Sequence, residues 1–148
     1  MTAYHAVKKA SALLYPGTAA VVIGAGGLGH IGIQVLRALT PATIIVVDRS
    51  ERALELAKSL GADHTVLANG TQIDTLKQIT NGFGAEVVLD FVGEGGAIAD
   101  GIAFLRRAGS YFAIGYGGTL NVPLIDIIST ETNFVGNLVG TYTDLVEL

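Results

Sequence analysis

Residues Thr18 to Leu36 read TAAVVIGAGGLGHIGIQVL. An apolar run ends at Gly24, five glycines fall between Gly24 and Gly32, and helical periodicity then resumes. Gly24, Gly26 and Gly29 spell G-x-G-x-x-G. That spacing alone is a weak signal, but here it follows the strand-like AAVVI and opens a helix. Leu28, Ile31, Val35, Leu36 and Leu39 form an apolar stripe on that helix, which is the context that gives the motif meaning. In this setting Gly24 turns the chain sharply, Gly26 lets backbone N–H groups approach a pyrophosphate, and Gly29 lets the helix pack close to the strand. Gly27 and Gly32 add close approach and close packing. An anion is favoured at the helix N-terminus, where unpaired N–H groups and the helix dipole attract negative charge. An ordinary tight turn between strand and helix is the alternative.

Asp48 ends the next apolar run, nineteen residues beyond Gly29. A carboxylate there accepts the hydroxyls of an adenosine ribose and repels a 2′-phosphate, which favours NAD over NADP. Arg49 complicates that preference, since an arginine at this point can receive a 2′-phosphate. With Asp48 already in the pocket, Arg49 is read as stacking on adenine or as solvated. Asp48 as a cap for the following helix is the bland alternative. S-adenosylmethionine methyltransferases share the glycine turn and the acid, but they usually carry an acidic residue just before the first glycine. The strand here runs VVIG without one, which tilts the reading to a dinucleotide. No Gly-Lys-Ser/Thr follows, so a triphosphate loop is disfavoured. Three later glycine-rich stretches, DFVGEGG from Asp90, IGYGG from Ile114 and NLVGT from Asn137, fall at strand ends, where open α/β sheets bind ligands.

Short apolar runs alternate with helical periods along the chain: Ala19 to Ile23, Thr43 to Val47, His64 to Leu67, Glu86 to Leu89, Ser110 to Ile114 and Phe134 to Val139. Continuous apolarity marks strands buried on both faces. Between them, Ala53, Leu56, Ala57 and Leu60 form a stripe on a helix capped by Ser50 and stopped by Gly61. Thr71 opens a helix with Asp74 in capping-box spacing and Ile73, Leu76 and Ile79 inward. A further helix runs from about Gly95 to Arg107. Terminal helices cover Thr2 to Leu13 and Thr143 onward. The pattern predicts an α/β fold: a doubly wound, six-stranded parallel Rossmann sheet in three α/β/α layers, residues 1–148 forming one domain. At 148 residues the chain suffices for a real core.

Nine basic and thirteen acidic residues give a net charge of -4. No basic cluster is present to track a phosphate backbone, which argues against nucleic acid. With no cysteine, thiolate chemistry and Cys-ligated zinc are excluded within these residues. The three histidines, His5, His30 and His64, have no metal-ligand spacing; His30 reads as solvated or backbone-bonded. Tyr4 and Lys8 form Y-x-x-x-K, the catalytic pair of short-chain dehydrogenases, but here it precedes the glycine loop instead of following it and is taken as coincidence. No signal peptide and no apolar run long enough for a membrane span appear, so a cytoplasmic location is the default. Half the residues are hydrophobic, a surplus that points to surface covered by another domain or subunit. No catalytic or metal-binding residues are assigned.

Taken in order, TAYHAVKKA, VVIGAGGLGHIGIQ, IIVVDRSERALELAKSLGADH, GAEVVLDFVGEGG, GSYFAIGYGG and NFVGNLVGTYTDLVEL resemble the coenzyme-binding domain of the medium-chain, zinc-dependent alcohol dehydrogenases, over practically the whole chain. The resemblance implies that Gly26, Gly27 and Leu28 hold the NAD pyrophosphate and Asp48 the adenosine ribose. It places Thr2, Phe91, Val92, Ile114, Gly115, Tyr116, Asn137 and Val139 along the nicotinamide ribose and ring. It also implies a homodimer or higher oligomer through Leu120 to Val139. The zinc of that family belongs to a catalytic domain outside these residues, with the terminal helices, 1–13 and 143–148, resembling linkers to it. Two functions follow as expectations: NAD(H) binding in an alcohol-oxidising enzyme, or a silent module that only binds the nucleotide.

Overall fold

The computed structural model describes residues 1–148. Six strands, β1 (Ala19–Ile23), β2 (Thr43–Asp48), β3 (His64–Leu67), β4 (Ala85–Asp90), β5 (Leu105–Ala113) and β6 (Asn133–Gly136), form one parallel sheet in the order β3-β2-β1-β4-β5-β6. The order reverses beside β1. This is the expected doubly wound sheet, and its switch point lies between β1 and β4.

The central strands β1, β2 and β4 alternate between two cores, which is why their sequences read as near-continuous apolar runs. Ala20 and Val22 of β1, Ile44 and Val46 of β2, and Val87 and Leu89 of β4 face α1 (Thr2–Ser11), α2 (Gly29–Leu39) and α3 (Glu51–Ser59). Val21, Ile23, Ile45, Val47 and Val88 face the opposite way, against Leu76 of α4 (Gln72–Ile79) and Phe104 of α5 (Ala97–Phe104). Ile33 and Leu36 of α2 are fully buried, each worth about 1.5–3 kcal/mol relative to exposure. α6 (Leu124–Thr130) and α7 (Tyr142–Glu147) complete the chain. No helix is long and apolar enough to cross a membrane.

The details depart from the sequence reading in several places. On α2 the buried face is Gly29, Gly32, Ile33 and Leu36, whereas Leu28, Ile31 and Leu39 are exposed. The glycines decide this: a Cβ on Gly29 would lie 1.7 Å from the Gly24 carbonyl oxygen, and one on Gly32 would lie 2.8 Å from the Phe91 ring. The face without side chains is the one that can approach the sheet. On α3, Leu54 and Ala57 are buried and Leu56 is exposed. Ser50 caps this helix by accepting the Ala53 N–H, and Gly61 stops it at φ +115°. The Thr71/Asp74 capping box does not form, because the Thr71 N–H and hydroxyl both donate to Asn69 Oδ1. α5 ends at Phe104, short of Arg107, because the chain turns extended at Leu105 and Arg106 pairs with Glu86 alongside β4. α6 occupies the connection between β5 and β6, where the sequence reading placed no helix, and β6 ends at Gly136, three residues before Val139.

Candidate functional site

The carboxyl ends of β1, β2, β4 and β5 converge on one rim of the sheet. Gly24 leaves β1 at φ +87°, a conformation that L side chains rarely adopt, and a Cβ there would strike Val92 Cγ2 at 2.7 Å. Gly26 and Gly27 are different: a Cβ on either meets no protein atom within 4 Å. These residues, with Leu28, Gly29, Asp48, Phe91 and Val92, border an open cleft of about 540 Å³. His30 secures the loop from behind, its Nδ1–H donating to the Gly26 carbonyl at 2.7 Å.

Asp48 ties this loop to β2. Its Oδ2 accepts the Ala25 N–H at 2.8 Å and its Oδ1 accepts the Ser50 N–H at 2.8 Å. Each oxygen keeps a lone pair for a further donor. A second cleft of about 420 Å³ adjoins the first at Gly24, Asp48 and Val92 and extends to Arg49, Ala68, Gln72, Glu94 and Asp100. Arg49 is exposed there, with its Nη2 3.5 Å from the Cβ position of Gly95. Gln72 donates to Asp100 Oδ2 at 2.8 Å, linking α4 to α5 at the far wall. Nothing in the spacing of Ala68, Gln72 and Asp100 marks them as cleft residues, since the crossover brings them together.

The family model for zinc-binding dehydrogenases matches residues 27–148. The chain belongs to the zinc-binding dehydrogenase family. It is 40% identical over 151 residues to the NAD-dependent alcohol dehydrogenase of Sulfurisphaera tokodaii, covering 99% of this chain and 42% of that protein. Among solved structures, the alcohol dehydrogenase of Aeropyrum pernix superposes with a TM-score of 0.96 at 46% identity, over 99% of this chain and 42% of its own. The D-arabinose dehydrogenase of Sulfolobus solfataricus superposes with a TM-score of 0.86 at 26% identity, over 99% of this chain and 46% of its own. The chain thus spans under half the length of these dehydrogenases.

Two further loops stand beside the glycine loop. The β4–α5 loop carries Val92 and Gly93, and the β5–α6 loop carries Ile114, Gly115 and the exposed Tyr116. They pack backbone to backbone: a Cβ on Gly93 would lie 2.2 Å from the Gly115 carbonyl carbon, and one on Gly115 would lie 2.4 Å from that of Val92. The Phe91 ring rests on Gly32, at the edge of the glycine-loop cleft that Phe91 helps to line. Asn137 Nδ2 donates to the Ala113 and Val135 carbonyls, both at 3.1 Å, while its buried Oδ1 has no protein partner. No three His, Cys, Asp or Glu side chains are grouped to hold a metal ion.

The chain ends meet at the same rim. After Val139, at φ +44°, Gly140 lies against the start of α1, where a Cβ on it would meet Met1 Cγ at 2.7 Å and His5 Cβ at 3.4 Å. Thr2, the first residue of α1, is half-buried beside this contact. Asp144 holds the arrangement: its Oδ2 accepts from the Thr141 N–H at 2.7 Å, the Thr141 hydroxyl at 2.8 Å and His5 Nδ1 at 2.7 Å. Tyr4 and Lys8 both donate to Glu147 Oε2, so the Y-x-x-x-K pair clasps α7.

The Thr141 backbone N–H is the main cause that holds the Asp144 carboxyl well below the usual carboxylate range, with the Thr141 hydroxyl and His5 adding to it against the opposing effect of desolvation. The unfolded chain therefore binds this proton more tightly than the folded one. The stabilisation is present above the unfolded value of about 3.9 and is lost as pH falls. Asp144→Asn is expected to flatten the acid limb of stability against pH below about 5, measured by urea unfolding at stepped pH. An unchanged acid limb would remove Asp144 from that role.

Proposed function

We propose that this chain is the NAD(H)-binding part of an alcohol dehydrogenase and presents the nicotinamide for hydride transfer to or from an alcohol or aldehyde. The observation that carries the reading is the open space at Gly26 and Gly27, directly beside a fixed Asp48 carboxylate. Such a cradle admits a pyrophosphate to the backbone N–H groups at the start of α2. In this reading Gly24, Gly26, Gly27, Leu28 and Gly29 surround the pyrophosphate, Asp48 accepts ribose hydroxyls, and Arg49 flanks the adenine. Thr2, Phe91, Val92, Ile114, Gly115, Tyr116, Asn137 and Val139 lie along the nicotinamide ribose and ring. NAD(H) supplies hydride transfer when bound. These residues supply binding and orientation; they offer no acid, base or metal set, so the chain alone binds cofactor without turnover.

Calorimetric titration with NAD and NADP, together with an alcohol-dependent reduction assay, tests this. NAD binding without turnover is the expected result. Binding of NADP but not NAD would overturn the reading of Asp48, and turnover by the chain alone would overturn the division of labour.

We further propose a homodimer or higher oligomer through Leu120 to Val139. α6 buries none of its residues, and Leu124, Ile125, Ile128 and Leu138 are 72%, 66%, 63% and 85% exposed beside the edge strand β6. Apolar area of this kind beside an open edge favours a covering partner. Sedimentation velocity at micromolar concentration is expected to give a dimer or larger species, and Ile125→Glu with Ile128→Glu a folded monomer. A wild-type monomer would count against the interface.

A further inference from the structure

One fully buried residue, Asp90, receives hydrogen bonds from both loops that face the proposed nicotinamide end. Its Oδ1 accepts the Val92 N–H at 2.8 Å and the Gly93 N–H at 2.9 Å. Its backbone carbonyl accepts the Ile114 N–H at 3.0 Å and the Gly115 N–H at 2.9 Å. Its Oδ2 accepts the hydroxyl of Tyr111, a β5 residue, also buried. Burial, and then the bond to Asp90, push the Tyr111 hydroxyl far above its ordinary range, so it remains a donor. Gly93 and Gly115 are in backbone contact, so any shift of one loop displaces the other.

We infer that Asp90 is a positioning residue that, with Tyr111, sets the spacing of the β4–α5 and β5–α6 loops and thereby orients the nicotinamide half of the cofactor. The inference rests on the NAD reading above. It requires that the ADP half, held at Gly26, Gly27 and Asp48, be indifferent to Asp90. A residue that merely stabilised the fold would affect both halves alike.

The test titrates wild type, Asp90→Ala, Asp90→Asn and Tyr111→Phe with ADP, which lacks the nicotinamide ribose, and with NADH, following heat and the emission maximum of bound NADH. Circular dichroism and thermal unfolding establish that each variant is folded. Asp90→Ala strands the buried Gly93 N–H and the part-buried Val92 N–H and is expected to weaken NADH about tenfold, with loss of the emission shift and ADP within about twofold of wild type. Asp90→Asn keeps an oxygen for Val92 and Gly93 and an amide for the Tyr111 oxygen, and is expected to rescue NADH binding. Tyr111→Phe preserves volume and keeps the test open should Asp90→Ala not fold; it is expected to weaken NADH about threefold and leave ADP alone. Equal losses for the two ligands, or no loss, in the folded variants would overturn the inference. So would a wild type that binds NADH no differently from ADP. A wild type that binds neither ligand would overturn the NAD reading itself, and the inference with it.

Discussion

Gly29→Ala is expected to destabilise the chain by about 3 kcal/mol or more, the upper range for forced overpacking, and to lower the thermal midpoint by roughly 6–12 °C for a domain of this size. The added Cβ would sit 1.7 Å from the Gly24 carbonyl oxygen and 2.8 Å from its carbon. Both are backbone atoms, so no rotamer change relieves the clash. Either α2 lifts away from β1, which opens the core around Ile33 and Leu36, or the Gly24 turn deforms, and that turn is tied to β2 by the Gly24 N–H donating to the Val47 carbonyl at 2.9 Å. Scanning calorimetry and urea unfolding measure the loss. A midpoint equal to wild type would mean that α2 is not seated on Gly24.

Gly26→Val, three residues earlier, is expected to do the opposite: leave the thermal midpoint within about 2 °C, as substitutions at open surface positions do, and weaken NAD at least about 100-fold, roughly 2.7 kcal/mol. Its Cβ meets no protein atom within 4 Å, so folding does not resist the side chain. The space it takes is the path proposed for the pyrophosphate. Calorimetric titration of the folded variant decides the matter, and wild-type affinity would dismiss the cradle. The pair separates the glycines of one motif by cause: Gly29 answers to the protein's own backbone, Gly26 to the ligand.

Much of the fold was legible because parallel strands buried on both faces leave continuous apolar runs. The bounds of β1 and β3 follow directly from those runs, as do the cap at Ser50 and the stop at Gly61. Helix faces were less legible. On α2, Ile31 and Leu39 have the apolarity of a core stripe and are nonetheless exposed, because approach to the sheet is governed by where Gly29 and Gly32 lack side chains. The start of β5 at Leu105 was hidden for a related reason: a pairing of Arg106 with Glu86, twenty positions away, outweighs the local helical pattern.

The candidate site divides in the same way. Gly24, Gly26, Gly29 and Asp48 announce themselves by spacing, since a glycine turn between strand and helix and an acid at the next strand end are local requirements of the chain. The role of Asp90 has no such signal. Its five partners come from two loops and a neighbouring strand, and the clasp of Tyr4, His5 and Lys8 on Asp144 and Glu147 joins opposite ends of the chain. By itself the sequence determined the alternation of elements, the two-faced burial of the strands and the glycine cradle, all of which depend on neighbours within a turn or a strand. Only the tertiary structure decided which helix faces are inward, how the rim loops are spaced and what holds them. Those depend on contacts between residues that the chain brings together only when the sheet is assembled.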